Sequence, residues 1–108
     1  MYAIIWEFRP ADGRREEFEA AYGRDGEWAR LFSRADGYLG TDLVRDTADA
    51  TRYLTIDRWR SRQDYDAFRA RFAAEYEELD AACEQLTSPE ALIGLFTPWN
   101  GEPTGSTR

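Results

Sequence analysis

Four short stretches of this chain place large apolar side chains on both of their alternating faces, while only two helical stretches are available to cover them. In Tyr2–Arg9 the set Ile4, Trp6, Phe8 points one way and Ala3, Ile5 the other. In Ala91–Thr97 the corresponding sets are Leu92, Phe96 and Ala91, Ile93, Leu95. Side chains alternate along a strand, so both surfaces of the resulting sheet must leave water. Two helices blanket one surface. The other is expected to bury against a second copy of the chain, sheet face to sheet face, which predicts a homodimer.

The remaining elements follow from spacing. Pro10-Ala11-Asp12-Gly13 reads as a turn with Asp12 as a helix N-cap. Phe18, Ala21, Tyr22 and then Trp28, Leu31, Phe32 each form an apolar helical stripe, with Gly23 and Gly26 interrupting between them. A second strand is expected over 38–46, a hairpin loop over 47–51 and a third strand over 52–59. In the third strand Tyr53, Thr55, Asp57, Trp59 alternate with Leu54, Ile56, Arg58. Ser61 with Asp64 three positions on resembles a capping box. Behind it Tyr65, Phe68, Phe72, Tyr76, Leu79, Cys83 and Leu86 predict one long continuous helix, which Thr87-Ser88-Pro89 ends. The order strand, helix, strand, strand, helix, strand predicts an α+β fold: a ferredoxin-like βαββαβ antiparallel sheet with both helices on one face, its other face paired with that of a second copy. One domain over 1–97 and a flexible tail over 98–108, rich in Pro, Gly, Ser and Thr, are expected.

Composition excludes several function classes. The net charge of −7 argues against nucleic acid and anionic membranes as partners. An RNA-recognition domain shares this element order, but its stacking rings would need a basic open sheet. No apolar run approaches the about 18 residues that span a bilayer, and no signal-peptide pattern opens the chain, so a cytoplasmic protein is expected. There is no histidine, and the single cysteine, Cys83, sits on the core stripe. Neither a metal nor a cofactor is expected.

Aromatic residues make up 15% of the chain, which suits a bulky core or a cavity for a flat ligand. Trp6, Phe8, Trp28, Phe32, Tyr53 and Phe68 are the side chains expected to line such a cavity between sheet and helices. Core packing is the alternative for each. Tyr53 has a hydroxyl that needs a partner if buried. Asp57 shares a face with Tyr53 and Trp59, where desolvation can raise its pKa and make it a base; pairing with an arginine is the alternative. Arg45 and Arg58 can hold an anionic oxygen, and Arg58 also suits an ion pair at a subunit interface. Trp59 is read as a plug at the strand-to-helix corner.

The segments Gly26-Glu27-Trp28-Ala29-Arg30-Leu31-Phe32, Gly37-Tyr38-Leu39-Gly40-Thr41 and Tyr53-Leu54-Thr55-Ile56-Asp57-Arg58-Trp59-Arg60-Ser61 resemble the antibiotic biosynthesis monooxygenase family. The resemblance runs to about Phe96 and implies dimeric α+β barrels. It spans cofactor-independent oxygenases of polycyclic phenols and haem-degrading enzymes. The haem-degrading branch relies on an Asn on the first strand and a Trp and a His on the second helix. Here Trp6 stands near the place of that Asn, Phe68 near that of the Trp, and the sole asparagine is Asn100, which disfavours haem chemistry. The resemblance thus implies a cofactor-independent monooxygenase acting on an aromatic polyketide-like phenol, with Tyr53, Asp57 and Arg45 as its polar parts. A non-catalytic dimer that binds or senses a small aromatic molecule is the alternative.

Overall fold

The computed structural model describes residues 1–99. Most of the expected tail, 100–108, lies outside the described residues. Four strands, β1 (Tyr2–Phe8), β2 (Tyr38–Arg45), β3 (Tyr53–Trp59) and β4 (Ala91–Phe96), form one antiparallel sheet in the order β2-β3-β1-β4. The helices α1 (Arg15–Tyr22), α2 (Glu27–Phe32), α3 (Arg62–Arg71) and α4 (Ala73–Cys83) pack their apolar stripes on one face of it, the ferredoxin-like arrangement.

Local chemistry explains most of the boundaries. The α1–α2 break falls at Gly23 and Gly26, as the spacing predicts. Gly26 is buried there, and a Cβ at that position would lie 2.5 Å from the Ala20 carbonyl oxygen. Gly37, with φ +87°, turns the chain into β2 so closely over α3 that a Cβ would meet the Asp64 carboxylate at 2.4 Å. Ser61 caps α3, its Oγ accepting from the Asp64 amide at 3.1 Å. The Asp64 carboxylate turns instead to Arg60, at 2.7 and 3.2 Å.

Three expectations are corrected. The cap before α1 is not Asp12: the turn through Gly13, at φ +76°, occupies Asp12, and the helix starts at Arg15 without a side-chain cap. The long second helix is two, broken at Phe72 where φ is −108° and ψ 28°, and it ends in a 3-10 turn over Glu84–Leu86. The alternation of β4 also slips. Ile4 pairs with Leu95, Ile5 with Gly94 and Trp6 with Leu92, so an extra residue, Ile93, bulges out of register. Leu92 and Leu95 therefore share the helix-facing side, which the simple period of two had split.

The core divides into two nests of rings. Phe8, Phe18, Tyr22 and Tyr53 meet under α1, with centroids 4.6–5.7 Å apart. Under α2 and α3, Trp59 is fully buried among Phe32, Tyr38, Tyr65 and Phe68, at 5.2–5.6 Å. The opposite face of the sheet is uncovered by helices. It presents Ile5, Val44, Leu54, Ile56 and Phe96, with Val44 and Phe96 exposed and the other three half-buried.

Candidate functional site

Between the two nests lies a chamber, and β3 explains why. Its helix-facing side reads Tyr53, Thr55, Asp57, Trp59: rings at both ends and two small polar side chains between. Register sets Trp6 and Leu43 beside Thr55, and Ile4 and Thr41 beside Asp57. The rings therefore stand apart over a low, polar floor. The chamber holds about 150 Å³. Its floor is Trp6, Thr41, Thr55 and Asp57. Phe8, Tyr22, Trp28 and Phe32 wall it, while Tyr76, Asp80 and Glu90 complete it. A void of that order takes about one six-membered ring. It opens into a wider groove of about 660 Å³ between α4 and the segment 87–90, with which it shares Trp6, Tyr22, Asp80 and Glu90.

Polar groups on the floor form a chain. The Thr41 hydroxyl donates to Asp57 Oδ1 at 2.7 Å, and the Tyr38 hydroxyl lies 2.6 Å from Thr41 Oγ1. Thr41 has one proton and gives it to the carboxylate, so Tyr38 is the donor to Thr41. Asp57 is nine-tenths buried, and among the described residues no arginine pairs with it. Burial pushes its carboxyl up to about 6, and the Thr41 hydrogen bond limits the rise. An acid of that strength exchanges its proton near neutral pH. Burial likewise raises Tyr22 and, to about 12, Tyr76, so both phenols stay neutral. The indole Nε1 of Trp28 is buried without a hydrogen-bond partner.

Of the residues singled out from sequence, Trp6, Phe8, Trp28, Phe32 and Asp57 come together on this chamber. Tyr53 does not line it: the hydroxyl points to α1 and donates to Glu19 Oε2 at 2.6 Å. Burial, followed by that carboxylate, raises its pKa. Arg45 lies exposed at the end of β2, opposite Tyr53 and outside the lining. Phe68 sits one layer deeper, against Phe32, Trp59 and Phe72. Arg58 faces the uncovered side of the sheet and pairs with Asp42 at 2.5 Å. Trp59 packs at the strand-to-helix corner with its Nε1 buried and unpaired. Thr41 and Tyr38 were missed because their role depends on the β2–β3 register. The lone polar pair Thr55 and Asp57 in an otherwise aromatic alternation was the available signal.

The chain matches known proteins in fold and family. SnoaB, a cofactor-independent oxygenase from Streptomyces nogalater, superposes with a TM-score of 0.72 at 21% identity, covering 92% of this chain and 93% of that one. Rv0793 from Mycobacterium tuberculosis gives 0.66 at 21% identity, with coverages of 92% and 95%. A Deinococcus radiodurans protein named as a candidate antibiotic biosynthesis monooxygenase gives 0.73 at 11% identity, with coverages of 93% and 94%. At such identities these likenesses speak to fold alone. Among proteins of curated function, no sequence matches significantly. The family model described as antibiotic biosynthesis monooxygenase matches residues 1–85, and the chain belongs to that family.

Proposed function

We propose that this protein is a cofactor-independent monooxygenase for an aromatic phenol or enol, with Asp57 as the proton acceptor. The observation that carries the proposal is a buried carboxylate, tuned by its surroundings to about 6, on the floor of a ring-sized aromatic chamber. One ring of the substrate enters the chamber, and the rest of a polycyclic, polyketide-like framework lies in the adjoining groove.

The chemistry asks little of the protein. Asp57 takes a proton from the phenol or the activated carbon beside it. The resulting anion passes one electron to O₂, and the superoxide and substrate radical recombine as a carbon-bound peroxide. Loss of water leaves a carbonyl, so a CH₂ and O₂ become C=O and H₂O. No external reductant is consumed. Asp57 returns the proton it took to the peroxide, which lets water leave and restores the carboxylate, while Thr41 and, behind it, Tyr38 keep that carboxylate hydrogen-bonded. Tyr53 and Arg45, which stand outside the lining, have no part in this scheme.

Dimerisation through the uncovered sheet face belongs to the same proposal. It is supported by the row of aliphatic side chains there, which one protomer leaves in water.

Oxygen uptake with anthrone-like phenols tests the reaction. Wild-type protein is expected to consume O₂, and Asp57→Asn to do so at least about a hundredfold more slowly, the usual worth of a positioned base. Equal rates would remove Asp57 from the mechanism. A phenol that binds without turnover would instead favour a sequestering or sensing protein.

A further inference from the structure

The chamber and its groove differ sharply in charge from the rest of an arginine-rich chain. The groove carries Glu77, Asp80, Glu84 and Glu90, and no arginine lines either space. Among the described residues none of these four carboxylates is within ion-pair distance of an arginine. Arg69 influences Asp80 from outside, but its guanidinium lies over the Tyr76 ring at 3.8 Å and donates to the Tyr65 hydroxyl at 3.1 Å. At the inner end of the same space stands Asp57, nine-tenths buried. Its Oδ1 accepts from Thr41, while among the described residues no hydrogen bond reaches Oδ2. Trp6 lines both chamber and groove, and an indole there is the kind of ring that attracts a cation. No three acidic or thiol side chains approach as a metal site would require among the described residues.

We infer that the ligand of this site carries a cationic nitrogen, an ammonium group joined by a short arm to the aromatic part, with the ring in the chamber and the ammonium in the acidic groove. This rests on the reading above that the chamber admits an aromatic ring. An anionic substituent would enter a field of unpaired carboxylates with no counter-charge. An ammonium meets carboxylates and an indole together, and its desolvation is offset. The inference concerns which phenol binds, and it holds whether or not the bound phenol is oxidised.

Three matched phenols test it on the full-length protein: tyramine, neutral para-ethylphenol and anionic para-hydroxyphenylpropionate. Binding is read from the indole N–H signals of Trp6 and Trp28 in a ¹⁵N-labelled sample. Tyramine is expected to bind at least about tenfold more tightly than the propionate, with the neutral phenol between them. Asp80→Asn with Glu90→Gln is expected to reduce that ratio to within about twofold. Glu16→Gln with Glu17→Gln, an equal change in net charge on exposed α1 positions, is expected to leave the ratio as it was. Equal affinity for all three phenols, or tighter binding of the propionate, overturns the inference while leaving the aromatic chamber standing. Failure of all three to bind overturns both. A ratio that falls equally in the control pair assigns the preference to net charge and also refutes it.

Discussion

Replacing Asp57 by asparagine should make the protein more stable at neutral pH while disabling it, and the size of the effect follows from the site. Burial lifts the carboxyl from an ordinary 3.8 to about 6. A group whose folded pKa is raised contributes its full share of stability below the unfolded value and loses it as pH rises through the folded one. Between about pH 4 and pH 6 the unfolded chain releases this proton and the folded chain keeps it, so stability falls. A shift of about two units at 1.36 kcal/mol each gives a loss of about 3 kcal/mol, complete above pH 6. Asparagine is the same shape, still accepts from Thr41, and has no charge to desolvate. Urea unfolding of both proteins at about pH 4 and pH 8 should therefore show the variant's advantage widening by about 2 to 3 kcal/mol across that range. Other carboxylates, such as Asp46, Asp49 and Asp64, have lowered values and act in the opposite sense, but they are common to both proteins and cancel. A stability difference that stays constant with pH would mean that Asp57 is not held in a desolvated site, and its role as a base would fall with it.

Tyr53→Phe should cost about 1 kcal/mol of stability, the worth of its hydrogen bond to Glu19, and change oxygen uptake only a few-fold at most; a hundredfold loss would show that the hydroxyl reaches the substrate. Trp59→Ala should lower stability by about 3 to 5 kcal/mol in thermal or chemical unfolding, since a fully buried indole leaves a cavity among four rings; a loss below about 1 kcal/mol would contradict its place in the core. Ile56→Asp, in the middle of the uncovered sheet face, should convert a dimer to a monomer in sedimentation at micromolar concentration. A wild-type protein that already sediments as a monomer would refute the paired sheets.

How much was legible before the structure depended on the range of the interactions involved. Periodicity of two in β1 and β3, the stripes of α1 and α2, and the Ser61 cap are local properties, and each appears where the spacing puts it. Asp57 was also visible, as a carboxylate where an aromatic alternation called for something apolar. The bulge at Ile93 was not, because an extra residue in an edge strand leaves no mark on composition and is defined only against its partner. Tyr53 shows the same limit. Its face is set by alternation, but the direction of its hydroxyl is set by Glu19, 34 residues away.

By itself, then, the chain determined an antiparallel α+β sheet layered with helices and a helix-facing side of β3 with rings at its ends and small polar groups between them. Those are consequences of backbone period and side-chain size, which act between near neighbours. Only the tertiary structure decided that Thr41 lands against Asp57, that Tyr38 backs Thr41, and that the acidic residues of α4 and the 87–90 segment share one groove. Strand register and helix placement bring together residues from distant parts of the chain, and the burial they impose on Asp57, which the Thr41 hydrogen bond only tempers, is what turns an ordinary aspartate into a group able to exchange a proton near neutral pH.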